Sequence, residues 1–321
     1  MNFEFVLCHV GGGDDSIGPP DKIAELFPNK VRLVVFEARS EAGQTDAVDS
    51  LTNGGVRKTL ITTAIDEDNG IKDFYSNVGG LSSSLLPPSN LSIDDDPMYP
   101  WCKSWGENTQ LEEKIKVYTQ TLDGLIEKSI CPPPDFLSID AQGAELRIQK
   151  GAINALKNSI LGLVTEVEFF EIYKDQCLFS EQFDFLGKEG FRFVDLFSQQ
   201  QWHPGPPAGD GFLTVGEALY IKYAIFKEDA MTGLSFGCVG AKSLSPVKLI
   251  KIAMIALAFR RYSYCYSIME FIVINWADTF GEVEADIDIC ILSDLYKSMK
   301  SNMSKFEVDR QIFLRNLSIS Q

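Results

Sequence analysis

Asp140 closes the apolar run Phe136–Ile139, and Gln142, Gly143 and Glu145 follow it within five residues. A carboxylate where a buried strand emerges lines the crevice in which open α/β sheets bind ligands. There it can accept the proton of a reacting hydroxyl as a general base. Gly143 permits a tight turn, and Glu145 stands where a helix would begin, complementing its dipole. Two further residues are candidates for proton transfer. Glu168 ends Thr165-Glu166-Val167-Glu168, and His203 follows Trp202 in a proline-rich stretch. No His, Cys, Asp or Glu set has the spacing of a metal site, so no metal is expected.

A second group suits a nucleoside. Gly11-Gly12-Gly13 follows the apolar run Phe3–Val10, and glycines there let backbone approach a ligand closely. Asp14 and Asp15 come next, where they would repel a pyrophosphate, so this is not the dinucleotide GxGxxG pattern. A ligand with an amino-acid end and no phosphate, such as S-adenosylmethionine, fits these acids better. Glu37 ends Val34-Val35-Phe36-Glu37, where an acid can accept both hydroxyls of a ribose. Asp66 ends Leu60–Ile65, where it can face an adenine edge or simply open the turn Asp-Glu-Asp-Asn-Gly.

These residues need a sheet to position them. Phe3–Val10, Val31–Phe36 and Leu60–Ile65 are continuous apolar runs, the mark of parallel strands covered on both faces. Pro19-Pro20 introduces a short helix at Asp21–Phe27, giving a strand, glycine loop, helix, strand unit. Helices are expected near Leu122–Lys128, Leu146–Leu156 and Gln182–Gly190, and strands at Phe136–Ile139, Leu161–Glu168, Phe191–Leu196 and Ala218–Ala224. Asn77–Trp105 and Gln199–Gly211 read as long loops able to choose a substrate. The fold class is therefore α/β, a Rossmann-like sheet of seven mostly parallel strands with helices on both faces. A domain over residues 1–230 is followed by a helical C-terminal extension over 231–321.

Composition sets limits. The 321 residues are 45% hydrophobic and 23% charged, with a formal net charge of −16. That balance argues against a nucleic-acid partner, which needs a basic surface. Seven cysteines without a CxxC pair, and no leader pattern before the first strand, point to reduced thiols and a cytoplasmic location. Ile252–Phe259 is too short to span a bilayer, so no membrane is expected. The apolar residues Ile252, Ile255, Leu257, Phe259, Phe271 and Ile274 need cover, which suits a lid or a homodimer interface.

Over roughly residues 5–225 the chain resembles the FkbM methyltransferase family. The resemblance rests on Thr121-Leu122-Asp123, Ile139-Asp140-Ala-Gln142-Gly143-Ala-Glu145, Lys150-Gly151-Ala152, Thr165-Glu166-Val167-Glu168, Gly190-Phe191 and Ala218-Leu219-Tyr220-Ile221-Lys222. Ser82-Ser83-Ser84-Leu85 after Gly79-Gly80 is similar to the family's serine-bearing segment. The resemblance implies an S-adenosylmethionine cofactor and transfer of methyl to oxygen, on a small molecule or glycan acceptor. It also implies a cofactor set of His9, Gly11, Gly13, Glu37, Asp66 and Asp140, lying across the tips of the strands that end at Val10, Glu37 and Ile139. His9 stands where family members usually carry Asp. Two rival readings follow: a cofactor-binding or scaffold protein without turnover, and a different nucleotide-dependent enzyme such as a dehydrogenase, against which Asp14-Asp15 stands.

Overall fold

All six residues of β1 (Phe5–Val10) are buried, as a strand covered on both faces requires. The computed structural model describes residues 1–11, 21–38, 47–52, 56–78, 80, 82–89, 103–203, 211–225, 239–240 and 243–302. They divide into two compact units, one of Glu4–Gly240 and one of Met1–Phe3 with the residues from Ala241 onward.

In the larger unit, β1 is followed by helix α1 (Asp21–Leu26), β2 (Val31–Glu37), β3 (Ala47–Leu51), β4 (Arg57–Thr62), β5 (Ala64–Ile65) and β6 (Gly70–Asn77). Next come α2 (Lys103–Asn108), β7 (Leu111–Gln120), α3 (Leu122–Glu127), β8 (Phe136–Ile139), α4 (Glu145–Lys150) and α5 (Ile153–Asn158). The unit closes with β9 (Gly162–Glu168), α6 (Phe179–Lys188), β10 (Phe191–Trp202), β11 (Phe212–Lys222), β12 (Ala224–Ile225) and β13 (Val239–Gly240).

The main sheet has eight strands in the order β10-β11-β9-β8-β1-β2-β4-β3, not seven. Its centre, β9-β8-β1-β2-β4, is parallel throughout. Antiparallel β3 lies on one edge and the β10–β11 hairpin on the other, so the sheet is mixed. The extra strand is β3, whose five residues are all exposed and which therefore shows no apolar pattern. A second sheet, β5-β7-β6, begins where the run Leu60–Ile65 turns at Thr63. Residues 60–62 stay in the main sheet, whereas Ala64 and Ile65 pair with Thr119 and Gln120 of β7.

One core joins Val6, Cys8 and Val10 of β1 to Val34, Phe36, Leu137, Ile139 and Val167, and to Leu125, Ile148, Leu156 and Leu186 from α3, α4, α5 and α6. Two of these helices are started by motif residues. Thr121 caps α3 by accepting from Gly124 N (3.0 Å). The Asp123 carboxylate accepts from Asn154 N and Ala155 N at the start of α5 (2.8 and 2.9 Å). In the smaller unit, Ser245 caps α7 (Pro246–Ala258), which is followed by α8 (Tyr262–Asn275), α9 (Ala277–Ala285) and a helical stretch over 291–302. Ile252, Ile255, Leu257, Phe259 and Phe271 are buried, and Ile274 is 74% exposed. Among the described residues, no helix is long and apolar enough to cross a membrane.

Asp66, fully buried, holds α4 to the start of the second sheet. It accepts from Arg147 Nε (2.8 Å) and Nη2 (2.5 Å) and pairs with Lys72 Nζ at 2.5 Å. Its Oδ1 also takes Glu67 N, closing the turn. Removing one partner of a buried pair costs about 3–5 kcal/mol because the remaining charge is stranded. Lys72 still faces Asp66, so Arg147→Met should cost about 3 kcal/mol, the low end of that range, read as a lower urea midpoint with unchanged slope.

Candidate active site

The strand order reverses at β1: the chain runs from β1 outward through β2 to β4, then returns to lay β8 on the other side of β1. Ligands bind at the carboxyl ends of strands at such a switch point. A cavity of about 270 Å³ lies there, lined by Val10 and Gly11 from the β1 tip, Phe36 and Glu37 from β2, and Asp140, Ala141 and Gln142 after β8. Ile65, Phe74, Leu85 and Ile148 supply apolar wall, and Ser83 and Ser84 supply hydroxyls.

Two glycines shape this space. Gly11 has φ +110°, and a Cβ there would fall 1.5 Å from the Asp140 carbonyl oxygen. Its smallness thus serves the packing of the β1 tip against the β8 tip. Gly143, φ +94°, leaves room for Tyr173, whose Cβ and ring Cδ2 would each lie 3.1 Å from an added Cβ. Gln142, between these tips, also has positive φ (+55°), a conformation that costs a non-glycine residue energy unless its surroundings hold it. Here they do. Gln142 Nε2 donates to Asp140 Oδ1 (2.7 Å) and Glu166 Oε2 (2.9 Å). The Tyr173 hydroxyl lies 2.8 Å from Gln142 Oε1 and 2.9 Å from Ser82 O, between which its one proton is shared. Ser84 Oγ donates to the Gln142 carbonyl at 2.7 Å.

Four carboxyl groups meet around the turn. Asp140 opens onto the cavity and is exposed there; partial desolvation among its neighbours raises its pKa, although its bonds to Gln142 and Glu166 pull the other way. Glu145 is fully buried at the start of α4. Its Oε1 accepts from Ala141 N (2.8 Å) and Gly143 N (3.1 Å), and burial pushes its pKa up to about 7. Glu166 and Glu168 alternate with Val167 along β9, so both face the same side. Burial, reinforced by the neighbouring carboxylates, raises both well above the usual range. One ligand oxygen from each of Glu145, Glu166 and Glu168 lies within 4.8 Å of the others. Sequence spacing gave no metal-ligand set, because Glu145 reaches the pair on β9 only through the fold.

The residues expected from the sequence separate into two groups. Gly11, Glu37 and Asp140 line the cavity together, with Glu168 in the acid cluster behind. His9, Asp66 and His203 are not in the cavity wall. Asp66 is committed to Arg147 and Lys72. His203 ends the β10 hairpin beside buried Trp202, and Gly13 lies outside the described residues. His9 points into the sheet's packing, with Nδ1 2.9 Å from Ser138 Oγ on the neighbouring strand. Gln142, Tyr173 and Ser84, which hold the turn, were not singled out from the sequence for that role.

A family model described as the Methyltransferase FkbM domain matches residues 22–193, more than half of the chain. The chain belongs to the FkbM methyltransferase family. The matched span of this FkbM domain contains Glu37, Asp140 and the three clustered glutamates, whereas His9 and His203 fall outside it. No curated protein and no solved structure matches the chain.

Burial, with a smaller push from Lys58, lowers the His9 pKa from 6.5 to about 4, so the folded protein keeps the ring neutral. The unfolded chain takes up that proton near pH 6.5. The stability contributed by His9 is therefore complete above this value and is lost as pH falls toward 4. The stability of the native chain relative to His9→Gln should fall by about 3 kcal/mol between those limits, measured by urea denaturation at each pH.

Proposed function

We propose that this protein is an S-adenosylmethionine-dependent methyltransferase acting on a hydroxyl of a small molecule or glycan. The observation that carries the reading is the meeting of Glu37 and Asp140 in one cavity at the topological switch point. The lining fits the cofactor. Glu37, at the β2 tip, is the acceptor for the two ribose hydroxyls, and the apolar residues around it offer a surface for adenine. The carboxylates nearby favour a positive ligand over a neutral product. When bound, the cofactor supplies an electrophilic methyl group on a positively charged sulfur.

The chain's own residues would align the acceptor and take its proton. Asp140 is the group we assign to the proton. It sits at the cavity edge, its Oδ1 is fixed by Gln142, and its raised pKa brings its basicity closer to that of the acceptor. Glu166, hydrogen-bonded to Asp140, carries the proton that the pair retains. Alignment of the two reactants accounts for the larger share of the rate, with base assistance adding about 10²–10⁴-fold. Glu168 is too enclosed to reach an acceptor directly, and it acts through the cluster. The reading without turnover drew on His9 and on the shortness of the chain before β1; His9 is buried and is not in the cavity wall, which weakens the first of these grounds.

Calorimetric titration with S-adenosylhomocysteine tests the cofactor assignment. Glu37→Ala should weaken binding about ten- to hundred-fold, the loss expected for hydrogen bonds to a charged group. Asp140→Asn should leave that affinity within a few-fold and lower methyl-transfer kcat/KM by about 10²–10⁴-fold. Absence of binding by the folded native chain at millimolar ligand would overturn the reading.

A further inference from the structure

Glu168 is fully buried, and neither of its carboxylate oxygens has a hydrogen-bond partner among the described residues. Glu145 Oε2 is likewise buried and without a partner, its Oε1 being taken by two backbone amides. Gln176 is anchored through Oε1 to Ile172 N and Tyr173 N (both 2.6 Å); its Nε2 has no partner at hydrogen-bond geometry but lies near enough to Glu168 to pull that carboxyl's pKa down in part. Among the described residues, no lysine, arginine or histidine forms an ion pair with Glu145, Glu166 or Glu168. Orphaned buried oxygens are rare in native proteins and call for an unrepresented partner.

We propose that Glu145, Glu166 and Glu168 bind one hard divalent cation, Ca²⁺, Mn²⁺ or Mg²⁺, behind the Asp140 turn. The geometry suits such an ion. Oxygens on opposite sides of a Ca²⁺ lie about 4.6–5.2 Å apart, twice its bond length. The three glutamate oxygens all fall within 4.8 Å of one another, so an ion at their centre is at most about 2.8 Å from each; Ca²⁺ needs the side chains to close by a few tenths of an ångström and the smaller Mg²⁺ by more. The donor set is carboxylate only, which excludes soft metals that prefer thiolate or imidazole. Glu166 is the half-buried member and provides the side from which ion and water enter. The backbone donors on Glu145 Oε1 orient that ligand, as outer hydrogen bonds do in metal sites. The cation replaces the protons that the acids otherwise share, and these leave to solvent.

Binding of the ion does not depend on the methyl-transfer reading. One consequence does rest on it: a cation here lies beside Asp140, where it would make an acceptor hydroxyl easier to deprotonate.

The test is Mn²⁺ titration of the chelator-stripped full chain, followed by loss of the free-ion paramagnetic resonance signal, with thermal melting in Ca²⁺ and Mg²⁺ alongside. One equivalent of Mn²⁺ should bind with a sub-millimolar Kd and raise the melting temperature. Glu168→Gln, which preserves shape, should weaken binding at least about ten-fold. If that variant fails to fold, Glu166→Gln, at the half-buried position, should show the same loss. No binding by folded native protein at millimolar Mn²⁺ would overturn the proposal. So would affinity unchanged in a folded Glu168→Gln or Glu166→Gln, which would locate the ion among other acids. Because S-adenosylhomocysteine binding is measured without metal, failure of one reading leaves the other standing.

Discussion

Like charges crowded together cannot all stay ionised without a counter-charge, and the tips of β8 and β9 with the start of α4 put four carboxyl groups under that constraint, Glu145 and Glu168 being fully buried. Two unit charges about 4 Å apart cost roughly 4 kcal/mol even at an effective dielectric constant near 20. The local structure meets this by sharing donors. Gln142 divides its amide between Asp140 and Glu166, and two backbone amides of the same turn go to Glu145. The positive φ of Gln142 is thus the conformation that aims its donors at the acids, and Tyr173 fills the space that Gly143 leaves open to hold it there.

The rest of the sheet follows from keeping that turn at the crevice. β1 and β8 must touch at their tips for the cavity to have a floor, which is why Gly11 packs against the Asp140 carbonyl. Glu37 then falls across the gap from Asp140 because β2 continues the parallel register on the far side of β1. Asp66 fixes α4, whose first residue is Glu145, to the second sheet through Arg147. An ion pair outside the cavity therefore holds one of the clustered acids in place.

Parallel strands buried on both faces were legible because continuous apolar runs have few other uses: Phe3–Val10, Val31–Phe36, Phe136–Ile139 and Leu161–Glu168 all became strands. β3 was not legible, being an exposed edge with no apolar face. Nor was β7 in full, whose polar half is matched by cross-strand pairs such as Lys114 and Lys116 with Asp73 on β6. At the site, strand-tip residues could be read from position alone. What a polar strand-end residue does could not, because its partner is remote. His9 meets Ser138 129 positions away and Asp66 meets Arg147 81 positions away. The acid cluster was half legible: Glu166 and Glu168 at a spacing of two must share a face, but only folding brings Glu145 to them.

Within the cluster, environment assigns roles to chemically similar groups. The hydrogen bond between Asp140 and Glu166 lowers the pKa of the first and raises that of the second. Gln142 donates to both, but Glu166 also feels Glu168 and Glu145 from behind. Asp140 therefore ionises first, and it is also the member that opens onto the cavity. Separation of pKa values within a carboxyl pair is the physical basis of an acid and base assignment. On the proposed function, that rule assigns the base role to the outer residue, while the inner glutamates retain the proton or, on the cation proposal, exchange it for the ion. Either occupant of the cluster answers the charge that would otherwise compete with Asp140 for a proton, so the chemistry in front of the turn depends on what is held behind it.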